Sequence, residues 1–223
     1  NSGPSINTYN KLSHWFDFSN PGILKVYSGK IDIGQHISST LALIISNITE
    51  IKYDQIEIIK LSTDISPDEG ITASSLSVAN SGSAIKAASI ALKINFLNYA
   101  LENLEIKNED ILFENGVIKD KNSNKTISYW DFAKTGKFKD VIIPEIFDEN
   151  SLKNINYQNN QKIELKTINE IVTGKYKYVH DINFPRILHA RIVRPPSYYC
   201  KLIKINEDFK KRLFENEITL FVK

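Results

Sequence analysis

The sequence predicts an α+β architecture, in which a mixed sheet with helices is followed by a β-rich module. Three observations predict it. Two stretches carry apolar residues at helical spacing, several short stretches are alternating or rich in β-branched residues, and an Asn-rich polar stretch separates the early part of the chain from the late part.

Ile23 to Ile33 reads as two short strands, because Leu24 and Val26, then Ile31 and Ile33, alternate with polar residues around a turn at Ser28-Gly29. From Gly34 onward Ile37, Leu41, Ile44, Ile45, Ile48 and Ile51 share one helical face, while Ser38, Ser39, Ser46 and Asn47 lie elsewhere. Ile56 to Leu61 is a β-branched strand. Residues 62 to 84 are dominated by Ser, Thr, Asp, Gly and Ala, and a loop of this length inside a domain is usually functional.

From about Gly82 to Leu104 two apolar stripes overlap. One runs through Ile85, Ala88, Leu92 and Phe96, the other through Ile90, Ile94, Leu97, Leu101 and Leu104, so this helix is expected to be covered on both sides. Ile111 to Phe113 and Val117 to Lys119 flank Asn115-Gly116, which suits a type I′ hairpin. Ser128, with Asp131 three residues on, caps a short helix that ends near Gly136. Residues 148 to 162 read as a linker. Tyr176 to His180 and Ile187 to Val193 then read as strands of a second module, joined by a turn around Asn183-Phe184-Pro185. The expected organisation is one domain over 1–150, a linker over 151–168 and the start of another domain over 169–223.

The 223 residues suffice for one large domain, or one full domain and part of another, at roughly 150 residues each. A net charge of +2, with lysines scattered among 26 acids, gives no nucleic-acid face. No apolar run is long enough for a membrane span and the opening residues lack a signal-peptide pattern, so the cytoplasm is the expected compartment, with the periplasm as the alternative. Cys200 is the single cysteine, which leaves no internal disulfide and no thiolate-ligated Fe–S cluster or zinc site within the chain. The sequence contains no methionine and ends in an apolar, strand-like run from Glu217 to Lys223, so it is expected to be a piece of a longer chain, with a processed or cropped N-terminus as the alternative.

Two segments carry chemistry. Gly29-Lys30-Ile31-Asp32-Ile33-Gly34-Gln35-His36 leads into the first helix, where glycine allows close ligand approach and free N–H groups attract anions. Asp64 to Ser77, containing Pro67-Asp68-Glu69-Gly70-Ile71-Thr72-Ala73-Ser74-Ser75-Leu76-Ser77, could line a site for a large polar cofactor with small hydroxyl residues and exposed amides. Each segment also reads, by itself, as an ordinary cap and turn.

In order, spacing and wording these segments resemble the cofactor-binding domain of the large subunits of the xanthine dehydrogenase and aldehyde oxidase superfamily. There a Gly-Gln-Gly turn leads into a helix, and a Thr-Ala-(small)-Ser-(apolar)-Ser loop follows a Pro-(Asp or Asn)-Glu-Gly turn. The chain is most similar to the nicotinate dehydrogenase and isoquinoline oxidoreductase type. Leu12 to Phe18, the Trp130 segment, Thr173 to Asp181 and Leu188 to Pro196 fit that pattern. The last of these stretches is similar to the start of the family's α/β hammerhead domain.

The resemblance implies a molybdopterin cofactor, in bacteria often the cytosine dinucleotide form. It also implies hydroxylation of an N-heteroaromatic or aldehyde carbon with oxygen from water. Electrons would leave through [2Fe-2S] clusters on a small partner subunit to an acceptor such as a cytochrome. By motif position Gly34 and Gln35 would contact the pterin, with His36 beside them, while Ala73, Ser74, Ser75 and Ser77 would hold pterin or phosphate oxygens. The sequence departs from the family at His36, which stands where the family has its second glycine. No position matches the family's catalytic glutamate, which belongs to a late segment expected beyond residue 223, so this chain alone is expected to be inactive. The competing reading is a non-catalytic relic that serves as a binding or scaffolding domain without cofactor.

Other residues read as structural. His14, His180 and His189 lack metal-ligand spacing, and Asp68-Glu69 reads as turn-stabilising rather than as an acid–base pair. Cys200 reads as a strand residue, Trp15 and Trp130 as core or interface aromatics, and Arg191 and Arg194 as a substrate or partner contact or a domain-junction salt bridge.

Overall fold

The computed structural model describes residues 4–107, 110–147 and 164–220. It divides into a first unit, Asn1–Tyr178, and a second, Val179–Lys223. The first unit is α+β, as the sequence predicts.

The part of the first unit that places the site is a β-α-β crossover. Strand β2 (Leu24–Val26) pairs antiparallel with β1 (Phe16–Asp17) on one side and parallel with β3 (Ile56–Ile58) on the other. Parallel neighbours need a crossover connection, here helix α1 (Ile37–Thr49). Its predicted face is buried: Ile37, Leu41, Ile45 and Ile48 are all nearly inaccessible, and Ile51 follows them into the core just past the C-cap. Ile31 to Ile33 form no strand. The segment from Ser28 is drawn instead against the loop after β3, where its amides find side-chain partners in place of a ladder.

Helix α2 (Ser83–Leu104), preceded by a π-helical turn over Val78–Gly82, is covered on both sides as its two stripes predict. One side faces α1, and the other faces the second sheet and α3 (Tyr129–Lys134). That sheet is antiparallel, in the order β4 (Ile111–Glu114), β5 (Val117–Asp120), β6 (Thr126–Ser128). Its hairpin turns at Asn115 and Gly116, whose φ values of 52° and 74° are those a type I′ turn requires. Ser128 caps α3 through the Asp131 amide, and the Asp131 carboxylate accepts from the Ser128 amide in return. The Ser128 hydroxyl holds the Asp131 carboxyl below its usual range.

Phe96 joins these layers. Its ring lies 4.0 Å from that of Tyr129 and edge-on to Phe113 at 6.0 Å. Lys93 and Glu50 tie α2 to the end of α1 through a 2.8 Å ion pair of which little is exposed. The Tyr129 hydroxyl is buried without a hydrogen-bond partner among the described residues. Burial, with a smaller push from Glu50, raises its pKa well above the ordinary value. Since an unpaired buried hydroxyl costs free energy that a ring hydrogen does not, Tyr129→Phe is expected to stabilise the fold by about 1 kcal/mol. Urea denaturation of the two proteins measures this, and a destabilised variant would contradict it.

Residues 148–163, which hold most of the expected linker, lie outside the described residues. After them Lys166 attaches the chain to the first unit, its amide donating to Ser39 Oγ at 2.9 Å and its ammonium to the Tyr53 carbonyl at 2.7 Å. Burial lowers the Lys166 pKa, although Asp54 and Glu57 oppose the shift. Helix α4 (Ile168–Val172) follows.

The second unit differs from expectation. Tyr176 to Tyr178, at the end of the first unit, are not a strand and lead into a 3-10 turn at Val179–Asp181, and Ile187 to Val193 form no strand among the described residues. Leu188 and Ile192 are 93% and 81% exposed. An extended segment gains its stability from a neighbouring strand, and none of the described residues supplies one here. Glu217 to Leu220 are likewise not a strand, and residues 221–223 of that run lie outside the described residues. Cys200 is exposed in a loop, with Ser197 Oγ 3.1 Å from its sulfur, rather than in a strand. Helix α5 (Glu207–Glu215) is capped by Asn206, whose side chain accepts from the Asp208 amide.

Candidate functional site

Because β2 and β3 are parallel neighbours, the chain leaves both at the same end of the sheet, the carboxyl end where ligands of such crossovers commonly bind. Two loops start there: residues 27–36, leading into α1, and residues 59–77, leading to the turn before α2. They contain every residue singled out by sequence as cofactor-binding.

The loops are joined at their bases. Gly29 N donates to Glu69 Oε2 at 2.8 Å, Lys30 Nζ donates to the carbonyls of Glu69 and Ile71 at 2.7 and 2.9 Å, and Ile31 N donates to Thr72 Oγ1 at 3.1 Å. Gly29 has no substitute here. A Cβ at this position would overlap the Pro67 carbonyl oxygen and lie 2.8 Å from the Glu69 nitrogen.

The 34–36 turn is tightly organised by its own side chains. Asp32 Oδ1 accepts from the amides of Gly34 and His36 at 3.2 and 3.1 Å. Gln35 spends its side chain locally, with Nε2 donating to the Ile31 carbonyl at 2.8 Å and Oε1 accepting from Ile33 N at 2.7 Å. Gly34 has φ of 109°, and His36, at φ 58° and ψ 35°, is the N-cap of α1 without a side-chain capping bond. The position that is glycine in the family motif therefore does adopt the left-handed conformation in which glycine is favoured, and histidine accepts that strain. His36 Nδ1 and Asp32 Oδ2 are buried with no partner among the described residues. The Tyr178 hydroxyl lies 3.8 Å from where a Gly34 side chain would begin.

The second loop is differently disposed. Ala73, Ser74 and Ser75 are exposed and Ser77 is half-buried at the start of the turn into α2. Ser74 and Ser75 both have positive φ, 55° and 57°, and no described residue bonds to their hydroxyls. Leu76 N donates to the Ala73 carbonyl, closing a tight turn. This stretch fits an anionic pterin or phosphate, since it offers hydroxyls and backbone without a competing negative charge. The Gly34 and His36 amides do not fit one in the same way, because a carboxylate of this chain already occupies them.

Sequence reasoning missed Lys30 and underrated Glu69, whose turn-stabilising role extends well beyond its own turn. Lys30 is 6% exposed, yet nothing in its local pattern distinguishes it from the many surface lysines. A cavity of about 510 Å³ elsewhere, lined among others by Phe18, Trp130 and Lys134, includes no residue of either loop. Among the described residues no group of three or more His, Cys, Asp or Glu side chains is placed to hold a metal ion. No helix among them is long and apolar enough to cross a membrane.

The family model of the molybdopterin cofactor-binding domain matches residues 2–177. A nicotinate dehydrogenase subunit of Pseudomonas putida is 26% identical over 188 residues, which are 83% of this chain and 15% of that protein. The gamma subunit of the 6-hydroxypseudooxynicotine dehydrogenase complex of Paenarthrobacter nicotinovorans is 29% identical over 117 residues, 52% of this chain and 15% of that protein. The chain thus spans about 15% of the length of these relatives. A solved structure of reconstituted CO dehydrogenase from Oligotropha carboxidovorans is similar over 50% of this chain and 14% of that one, with 25% identity and a TM-score of 0.43.

Proposed function

Because the chain belongs to the molybdopterin cofactor-binding domain family, we propose that it is the pterin-holding part of the large subunit of a molybdenum hydroxylase. The reaction assigned to it is hydroxylation of an N-heteroaromatic or aldehyde carbon with oxygen from water, with electrons passing to a small [2Fe-2S] subunit and on to an acceptor such as a cytochrome. The two relatives support this reading, being subunits of nicotinate and 6-hydroxypseudooxynicotine dehydrogenases. Residues 1–150 are read as the cofactor-binding portion, 151–168 as a linker, and 169–223 as the start of a hammerhead domain. The cytoplasm is the proposed compartment.

The observation that carries the proposal is the shared carboxyl end of β2 and β3, from which both motif loops start, with the Ser74 and Ser75 hydroxyls uncommitted among the described residues. When bound, molybdopterin, in its cytosine dinucleotide form, supplies the redox chemistry. The chain's own residues bind and orient it. Ala73, Ser74, Ser75 and Ser77 take its anionic oxygens through amides and hydroxyls. Gly34, Gln35 and His36 form the neighbouring wall, and their shape is held by Asp32.

The test is molybdenum and pterin analysis of the protein isolated from its native source. Comparable amounts of both are expected. Complete absence of both would overturn the proposal. In the double variant Ser74→Val/Ser75→Val the hydroxyls go, and the left-handed backbone that serine already strains to adopt becomes costlier still for a β-branched side chain. Retained cofactor is then expected to fall about tenfold. Asp32 favours a second reading, a relic that keeps the fold as a binding or scaffolding domain, because the family's turn amides are satisfied internally. Native protein without pterin would support that reading.

A further inference from the structure

Glu69 stands in an exposed loop beside Asp68, yet its carboxylate turns inward and accepts four hydrogen bonds. Ser5 Oγ donates to Oε1 at 3.0 Å, while Gly29 N, Ser28 Oγ and Ser81 Oγ donate to Oε2 at 2.8, 3.2 and 2.6 Å. The donors come from three separate stretches: the 3-10 turn Pro4–Asn7, the loop after β2, and the π-helical turn before α2. Ser5, Ser28 and Ser81 are all buried. A carboxylate is an acceptor on both oxygens, with room for about four donors. Hydrogen bonds to an ionised group are roughly twice as strong as neutral ones.

The same residue is gripped through its backbone, since its carbonyl and that of Ile71 accept from the buried Lys30 ammonium. Thr72 adds the next tie by accepting from Ile31 N. These bonds end where the 73–77 stretch begins, and the Ser81 bond to Glu69 holds the chain just after that stretch ends. One side chain therefore fixes both ends of the exposed serine loop, and does so against the loop that carries the 34–36 turn.

We propose that Glu69, assisted by Lys30, is a positioning residue for the cofactor loop: it sets where Ser74, Ser75 and Ser77 stand relative to Gly34 and His36. This rests on the cofactor reading for its consequence but not for its geometry. The clamp lies apart from the aromatic core around Phe96, so its removal should loosen the loop and leave α2 in place.

Amide hydrogen exchange by mass spectrometry, together with molybdenum content, tests the proposal on the native protein and two variants. The informative amides are those of Ile31 and Asn80, which donate to Thr72 Oγ1 and to the Leu76 carbonyl without touching Glu69. In Glu69→Ala both should exchange at least about tenfold faster while amides of Leu92 and Phe96 are unchanged, as expected for local rather than global opening. Retained molybdenum should fall with them.

In Glu69→Gln the amide oxygen can replace Oε2 and the Ser5 hydroxyl can accept from the new NH2, so exchange within about threefold of the native protein and restored molybdenum are expected. Unchanged exchange at Ile31 and Asn80, equal acceleration in α2, or full molybdenum retention in Glu69→Ala would overturn the proposal, as would a Gln variant no better than Ala. Native protein devoid of pterin would end the cofactor reading, whereas the exchange results would still decide the clamp.

Discussion

Replacing Gly29 by alanine is expected to destabilise the first unit by about 3 kcal/mol, near the upper end of what inserted volume costs in a packed site. The added carbon meets the Glu69 Cγ at 2.8 Å, but its worst contact is with backbone, which cannot swing aside as a side chain can. It would overlap the Pro67 carbonyl oxygen and come within 2.8 Å of the Glu69 nitrogen. Relief requires moving the 67–69 peptide away, which breaks the Gly29 to Glu69 bond and shifts the acceptor shared by Ser28 and Ser81. The loss should therefore appear both in the denaturation midpoint and in a weakened hold on the serine loop. Gly136→Ala is the matching control, since nothing lies within 4 Å of its Cβ position and only its φ of 77° opposes a side chain. It is expected to cost about 1 kcal/mol. Equal effects of the two substitutions would contradict the steric argument at Gly29.

Phe96→Ala is expected to cost about 4 kcal/mol, as is usual for removing a buried aromatic ring. The ring is 0% exposed, and it lies against Tyr129, Phe113 and Phe132, from the second sheet and α3. A hole at this point cannot collapse easily, because the surrounding rings belong to elements tied by their own ladders and caps. Phe96→Leu, which keeps most of the volume, should lose much less. Guanidinium denaturation distinguishes the two, and a loss below about 2 kcal/mol for the alanine variant would show that the core repacks. Per folded molecule the molybdenum content should be unaffected, in contrast to Glu69→Ala, since Phe96 belongs to neither motif loop.

Much of the fold can be read from sequence because its signals are local. Asn115-Gly116 supplies both positive φ values of its turn within two residues. Ser128 and Asp131 cap α3 across three residues, and the apolar stripes of α1 and α2 state which faces are buried. The readings that failed are those for which local signal is not sufficient. Ile31 to Ile33 and Ile187 to Val193 have strand-like alternation, but a strand exists only with a partner, and the former found Thr72 while the latter has none among the described residues.

The site divides in the same way. From sequence alone the two motif segments, their order and the histidine at the glycine position were legible, since each is written in contiguous residues and local backbone preference governs it. Asp32 meets the Gly34 and His36 amides across two and four residues, a local contact, whereas tertiary structure alone decided that Glu69 and Lys30 turn inward to bind the loops together. Partners of Glu69 lie up to 64 residues away along the chain. Whether a charged side chain faces water or a ring of buried donors depends on what the folded backbone brings around it, because the cost of burying a charge is offset only by partners that distant segments provide.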